Sequence, residues 1–93
     1  MVKLTPKQIR EALAGLPEWR KKGPAIERTY VFETFPAAIR FVQAVARTAE
    51  RAGHHPDIDI RYHRVRLRLT THDAGGLTDK DFDLARKCDR LTR

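Results

Sequence analysis

The chain lacks several side chains and segments on which whole classes of protein depend. Its 93 residues include no serine and a single cysteine, Cys88. One cysteine cannot close an intramolecular disulfide, and it suits a reducing compartment. The cysteine and the four histidines show neither Cys-x-x-Cys nor His-x-x-x-His spacing, so we expect no metal site. A serine nucleophile is excluded outright.

Long apolar segments are missing as well. Residues 1–6 contain no apolar signal segment, and no stretch approaches the length of a membrane helix. The 93 residues are enough for one small domain, residues 1–93, with a thin core. We therefore expect a single cytoplasmic domain. Because association buries additional apolar surface, we also expect a homo-oligomer, either a dimer or a tetramer.

The net charge of +7 raises the question of nucleic-acid binding. Of the 19 basic residues, 13 are arginines, and Arg20–Lys22 is the only tight basic cluster. Alternate arginines from Arg64 to Arg68 line one strand face, but Asp57 and Asp59 on the facing strand can pair with them. Nucleic acid is therefore not the partner that this composition favours.

The first and last helices are indicated by their N-terminal residues. Thr5 and Gln8 have the spacing of a capping box, and the helix that they begin should run to about Leu16. Thr78 and Asp81 have the same spacing at the start of the last helix. Asp81 is thereby predicted to be a first-turn carboxylate with a structural role, and a catalytic role stays open.

A long helix occupies the middle of the chain. Thr34 is its predicted N-cap, and Gly53 follows its last turn, where a residue free to adopt the left-handed conformation is favoured. Helical spacing predicts a buried face of Phe35, Ile39, Val42, Ala46 and Ala49, with Ala38, Val45 and Ala52 beside them.

Four segments have the composition of strands. Residues 18–22 and 25–33 precede the long helix, and residues 57–62 and 64–70 follow it with strict alternation of polar and apolar side chains. The order α-β-β-α-β-β-α predicts an α+β two-layer sandwich, with a four-stranded antiparallel sheet and helices on one face.

Three of the four histidines lie at the two ends of this second strand pair. A two-residue turn at 62–63 sets His72 opposite Gly53, and a turn at 63–64 sets it opposite His55. Either register brings His72 to the segment of His54 and His55, where opposed Cβ atoms are about 4.5–5.5 Å apart. Histidine both gives and takes protons near neutral pH, so the pattern predicts a proton-transfer site. His63 lies in the turn, where we expect it to be solvated.

These residues resemble the pterin-4a-carbinolamine dehydratase family. The resemblance depends on Glu50-x-x-x-His54-His55-Pro56, the aromatic Tyr62, Thr71-His72-Asp73, and Asp81 after Gly76-Leu77. It covers the chain from Thr34 to the last helix, and the N-terminal third is compatible with it. It implies dehydration of 4a-hydroxytetrahydrobiopterin to quinonoid dihydrobiopterin, without a metal or organic cofactor. This reaction recycles the pterin used by aromatic amino acid hydroxylases.

The resemblance also implies roles for individual residues. His54 and His72 would carry the acid–base work and His55 would hold the substrate, so that all three count as catalytic candidates. The rest of the pterin site would come from Pro56, Thr71, Asp73 and Ala74. Glu50 lies one helical turn before His54, where it either orients an imidazole or remains an exposed helix residue.

A second reading keeps the fold without the reaction. Vertebrate relatives in the resembled family also act as a dimerisation partner of a transcription factor, so a non-enzymatic dimerisation or coactivator module is the alternative. The complete set of three histidines favours the enzyme, because a scaffold has no need of three convergent imidazoles.

Overall fold

The computed structural model describes residues 2–92, and its element order is the one predicted. The elements are α1 (Pro6–Ala14), β1 (Arg20–Lys22), β2 (Ala25–Val31), α2 (Phe35–Ala52), β3 (Asp57–Arg61), β4 (Arg64–Leu69), a 3₁₀ turn (His72–Ala74) and α3 (Asp79–Arg90). No helix within residues 2–92 has both the length and the apolar character needed to cross a membrane.

The four strands form one antiparallel sheet in the order β1-β2-β4-β3. The predicted α+β architecture is confirmed. Between β3 and β4, Arg61 is opposite Arg64, so the turn lies at Tyr62–His63, the first of the two registers that the sequence allowed. Tyr62 has φ 52°, a left-handed conformation that lets two residues reverse the chain. His63 is half-buried, with its ring centroid 4.6 Å from that of Tyr62, so the expectation of a solvated histidine was wrong.

One face of the sheet and the helices enclose the core. Ile26 and Tyr30 of β2 and Val65, Leu67 and Leu69 of β4 are buried on this face, because alternate residues of a strand share a face. Phe82, Leu84 and Cys88 of α3 are buried with them. The opposite face carries most of the charged strand residues, including Arg66, which bonds Asp59 at 3.1 Å.

The helix ends are held as the sequence predicted. Thr5 and Gln8 form a capping box at α1, and Thr78 and Asp81 form another at α3. Gly53 terminates α2 with φ 64°, where its N–H donates to backbone carbonyls of the last turn. This left-handed residue turns the chain back towards the sheet directly before the histidine pair.

The buried face of α2 differs from the prediction. Of the five residues predicted to form it, Ala49 alone is buried; Phe35 and Ala46 are exposed, and Ile39 and Val42 are partly buried. The buried positions are Ala38, Phe41, Val45, Thr48 and Ala49. The helix is apolar around more than half of its circumference, so its periodicity could not define which stripe faces the sheet.

A single carboxylate joins the end of α3 to the sheet. Asp89 accepts hydrogen bonds from Trp19 Nε1 at 3.1 Å, from Arg28 Nη1 at 2.8 Å and from the hydroxyl of Tyr30. Burial, together with the hydrogen bond to Asp89, raises the pKa of Tyr30, which therefore remains a donor. Trp19 is 3 % exposed, so this residue belongs to the core.

Replacing Asp89 with Asn should destabilise the fold by about 2 kcal/mol, because three partly buried donors then compete for one amide oxygen. Asp83→Asn is the matched control: Asp83 lies on the same helix, is exposed, and within residues 2–92 pairs only with Arg86, so the effect should stay within about 0.5 kcal/mol. Urea unfolding of both variants measures the difference. Equal effects would contradict a structural role for the Asp89 cluster.

Candidate active site

The candidate site forms where three segments end close together. The His54–His55 pair follows α2, Thr71 and His72 follow β4, and Asp81 is in the first turn of α3. The N–H of His54 donates to the carbonyl of Ala49 at 3.2 Å, which fixes the chain direction after α2. The convergence expected from the β3–β4 hairpin is therefore present.

His54 is held by a buried carboxylate. Its Nε2 lies 2.6 Å from Oδ1 of Asp81, and the two side chains are 11 % and 0 % exposed. A short hydrogen bond between a ring nitrogen and a carboxylate is a strong interaction that fixes the ring orientation. Asp81 is thus placed to set the position and orientation of His54.

The second carboxylate oxygen of Asp81 also accepts hydrogen bonds. Its Oδ2 accepts from the hydroxyl of Thr71 at 2.8 Å and from the N–H of Thr78 at 2.9 Å. The hydroxyls of Thr71 and Thr78 are themselves 2.8 Å apart, and since Thr71 donates to Asp81, Thr78 is the donor between them. A carboxylate with no exposed surface is tolerated because each of its oxygens has partners.

His55 has a different environment from its neighbour. Its Nε2 lies 2.9 Å from Oε1 of Glu50, and the side chains are 64 % and 80 % exposed. An exposed pair of this kind contributes little to stability. Glu50 therefore orients His55 rather than His54, and it leaves the ring of His55 accessible to a ligand.

His72 begins the 3₁₀ turn that follows β4. The N–H of Gly75 donates to the carbonyl of His72 at 3.0 Å, and Thr71 and Gly76 form an isolated antiparallel bridge. Gly75 has φ 74°, which allows the tight reversal. His72 and Asp73 are exposed, so both side chains are available at the surface of the site.

An open cavity of about 280 Å³ lies among these segments. Its lining consists of Gly53, His54, His55, Thr70, Thr71, His72, Asp73 and Lys80. The structure thus brings the three predicted histidines, Thr71 and Asp73 to one cavity. Pro56, Ala74, Glu50 and Asp81 do not line it, and Asp81 lies beneath His54.

Sequence reasoning missed two side chains of the lining. Thr70 bonds the carbonyl of Pro24 at 2.6 Å, and Lys80 is an exposed residue of the first turn of α3. In the sequence, the only indication for Lys80 was that it directly precedes Asp81, the last residue of the predicted capping box. It provides a cation at the cavity.

The lining is suited to moving protons in a small polar ligand. It combines three imidazoles with one carboxylate, Asp73, and one ammonium, Lys80. Burial raises the pKa of Cys88 to about 12, so this thiol stays protonated within α3 and offers no nucleophile. No cluster of three or more potential metal ligands occurs in the part of the chain that the structure describes.

Replacing Asp81 with Asn should reduce stability by about 1–3 kcal/mol, because an amide cannot accept from His54, Thr71 and Thr78 together. Asp79→Asn is the matched control, since it removes an exposed carboxylate from the same first turn of α3. The contribution of charge to the helix dipole is therefore similar in both variants. Thermal or urea unfolding that found equal small losses would reduce Asp81 to an ordinary first-turn carboxylate.

Comparisons with known proteins agree with this fold and identify a family. The sequence profile of the family described as Pterin 4 alpha carbinolamine dehydratase matches residues 2–91. A protein of Acidobacterium capsulatum named "Putative pterin-4-alpha-carbinolamine dehydratase" is 60 % identical over 91 residues, covering 98 % of this chain and 99 % of the relative.

Two solved structures are also similar. The crystal structure of a transcriptional coactivator/pterin dehydratase from Brucella melitensis has a TM-score of 0.94 and 35 % identity, covering 98 % of this chain and 99 % of that one. A pterin dehydratase-like protein identified as a RuBisCO assembly factor in the alpha-carboxysome has a TM-score of 0.65 and 23 % identity, covering 78 % and 84 %. The second likeness extends to the fold alone.

Proposed function

The chain belongs to the pterin-4a-carbinolamine dehydratase family, and from this premise we propose that it dehydrates 4a-hydroxytetrahydrobiopterin to quinonoid dihydrobiopterin. The observation that supports this most is the meeting of His54, His55 and His72 at one open cavity. The cavity of about 280 Å³ suits part of a bicyclic ligand.

The reaction needs two proton transfers and no nucleophile. One proton is delivered to the 4a-hydroxyl so that it leaves as water, and another is removed from a ring nitrogen. His54 and His72 are the proposed pair, because they enter the cavity from different segments and have different surroundings. His54 is held at 2.6 Å by the buried Asp81, whereas His72 is exposed. His55, whose ring is accessible, is proposed to hold the substrate together with Thr71 and Asp73.

His54→Gln and His72→Gln should each slow dehydration by about 10²-fold or more, because each removes one proton transfer. His55→Gln should raise KM more than it lowers kcat. The readout is the rate of carbinolamine decay, monitored by ultraviolet absorbance, with urea unfolding to confirm that each variant is folded.

The fourth histidine provides the control for this series. His63 lies in the β3–β4 turn, outside the cavity lining, and its Nδ1 is buried with no hydrogen-bond partner within residues 2–92. His63→Gln should therefore leave both kcat and KM unchanged. Small and equal losses for all four variants would refute the proposed division of roles.

Dehydration should survive exhaustive treatment with EDTA. The proposed chemistry uses imidazoles alone, and His54 and His55 are each engaged by a different carboxylate, Asp81 and Glu50. The measurement compares the rate before and after chelation and dialysis. Loss of activity that zinc restores would mean that the cavity is a metal site and that the acid–base assignment is wrong.

We propose a homo-oligomer, with a tetramer preferred, formed through the edge of β3 and the free face of α2. β3 is an edge strand, and its inward residues Ile58 and Ile60 are 37 % and 38 % exposed. Phe35 of α2 is 46 % exposed. The apolar stripe of α2 that the sheet leaves uncovered is thus available to a second copy, and pairing the β3 edge would satisfy its free backbone groups.

Ile60→Lys should shift the protein towards monomer, because it places a charge in the proposed interface. Val2→Lys is the control, since Val2 is 83 % exposed near the terminus and far along the chain from β3. Light scattering at micromolar concentration measures the mass of both variants and of the parent chain. A monomeric parent would refute the proposal.

The register in which β3 pairs with β3 of the second copy can be tested with cysteine variants. Pairing about Ile60 sets Asp59 opposite Arg61 of the second copy, whereas pairing about Asp59 sets Asp57 opposite that arginine. Disulfide formation in Ile60→Cys favours the first register, and in Asp59→Cys the second. The buried Cys88 should not interfere.

We propose that the reaction recycles the pterin consumed by an aromatic amino acid hydroxylase. We also propose that it takes place in the cytoplasm. We retain the non-enzymatic module as the alternative, since the Brucella structure is described as both coactivator and dehydratase. The histidine series distinguishes the two, because a scaffold would show no dehydration in the parent chain.

A further inference from the structure

A second groove lies between the two long helices. It has a volume of about 310 Å³ and is lined by Thr48 and Arg51 of α2 and by Lys87, Arg90 and Leu91 at the end of α3. Three of these five side chains are cations, and none is a carboxylate. The groove is therefore a site of concentrated positive charge.

The neighbouring carboxylates do not neutralise this charge. Within residues 2–92, no ion pair below 4 Å involves Arg51, Lys87 or Arg90. The acidic residues of the two helices have other partners: Glu50 bonds His55, Asp81 bonds His54, Asp83 bonds Arg86, and Asp89 bonds Arg28. The remaining one, Asp79, is the first residue of α3, eight residues from Lys87 and about 12 Å away along the axis.

The helix dipole explains part of this arrangement. Each cation is in the last turn of its helix, where a positive charge is favoured. That argument applies to each helix separately and does not require the cations to face one groove. Like charges that converge repel one another, and an anion bound between them removes the repulsion.

The groove and the catalytic cavity share no lining residue, but both have lining residues at or next to α2 and in α3. Lys80 lines the cavity and precedes Lys87 by seven residues, which is two turns of α3, or about 10 Å. On α2, Arg51 precedes Gly53 of the cavity lining by two residues. Both helices therefore lead from the cavity to the groove, with cations at each end.

We infer that the groove binds a negatively charged side chain of a pterin substrate while the ring occupies the histidine cavity. The inference rests on the proposed dehydration, and it extends the substrates from 4a-hydroxytetrahydrobiopterin, whose side chain is neutral, to pterins with a side chain that carries phosphate or carboxylate groups. A cationic track raises the local concentration of such a ligand and speeds its association. Salt weakens the effect, because the Debye length is only about 10 Å at 0.1 M.

The test is the affinity for three dihydropterins with the same ring. One has a neutral dihydroxypropyl side chain, one has a phosphate ester at the end of that chain, and one has a chain that ends in two carboxylates. Calorimetry should give a Kd about tenfold lower for one or both anionic compounds at low ionic strength, and the advantage should disappear at high salt. The two anionic probes distinguish phosphate from carboxylate as the preferred group.

Single substitutions then localise the effect. Arg51→Gln, Lys87→Gln and Arg90→Gln should each reduce the ratio of anionic to neutral affinity by about two- to fivefold. Arg86→Gln is the matched control: it removes a cation from the same helix that is already paired with Asp83, and it should leave the ratio unchanged.

The outcomes separate this inference from the proposed reaction. Equal affinity for all three compounds, or a preference that the three groove variants do not change, would overturn the groove while leaving dehydration intact. Absence of dehydration would refute the reaction, and the affinity ratios would still decide whether the groove binds anions. Failure to bind any pterin would overturn both.

Discussion

The buried carboxylate of Asp81 is the constraint on which the site depends. With no exposed surface, it must obtain all of its hydrogen bonds from protein groups, and it does so from His54 after α2, Thr71 after β4 and Thr78 at the start of α3. Thr78 is 3 residues from Asp81, but Thr71 is 10 and His54 is 27 residues away, so satisfying one carboxylate brings the ends of β4 and α2 to the first turn of α3. The same contacts build one wall of the histidine cavity. Asp81 thus both caps α3 and positions His54. The two roles do not compete, because they use different oxygens of the carboxylate.

The fold could be predicted from the sequence where its signals are local. The capping boxes, the left-handed Gly53 and the alternation in β3 and β4 each depend on a few neighbouring residues, and each proved correct. The buried face of α2 could not be predicted in this way. Phe35 and Phe41 both lie on apolar stripes of an alanine-rich helix, and only packing against the sheet selects the stripe with Phe41. The stripe that contains Phe35 is left uncovered by the sheet, and Phe35 is exposed.

The meeting of the three histidines could be predicted from the sequence, because the β3–β4 hairpin determines it. Once β3 and β4 pair, His72 must return to the segment that precedes β3, whichever of the two registers is formed. The partners of these histidines were less accessible to sequence reasoning. Glu50 was expected one turn before His54 but contacts His55, because Gly53 reverses the chain between them. Asp81 is 27 residues from His54, so their contact has no local signal. Lys80 reaches the cavity only through the docking of α3, and its one sequence signal was its position next to Asp81.

The acidic side chains that hold the secondary-structure elements together also affect the distribution of charge. Carboxylates are used where elements meet: Asp81 joins three segments, Asp89 joins α3 to the sheet, and Glu27 binds Arg68 across two strands at 2.7 Å. Acidic residues committed to internal contacts cannot neutralise the surface, so cations predominate outside, as at Arg51 and Lys87. The net charge of +7 is nevertheless not concentrated on the helices, because α1, α2 and α3 together carry +3 and the four strands carry +5. On the helices, the cations without a carboxylate within 4 Å inside residues 2–92 include Arg51, Lys87 and Arg90, so positive charge on this side of the molecule is local to the ends of α2 and α3.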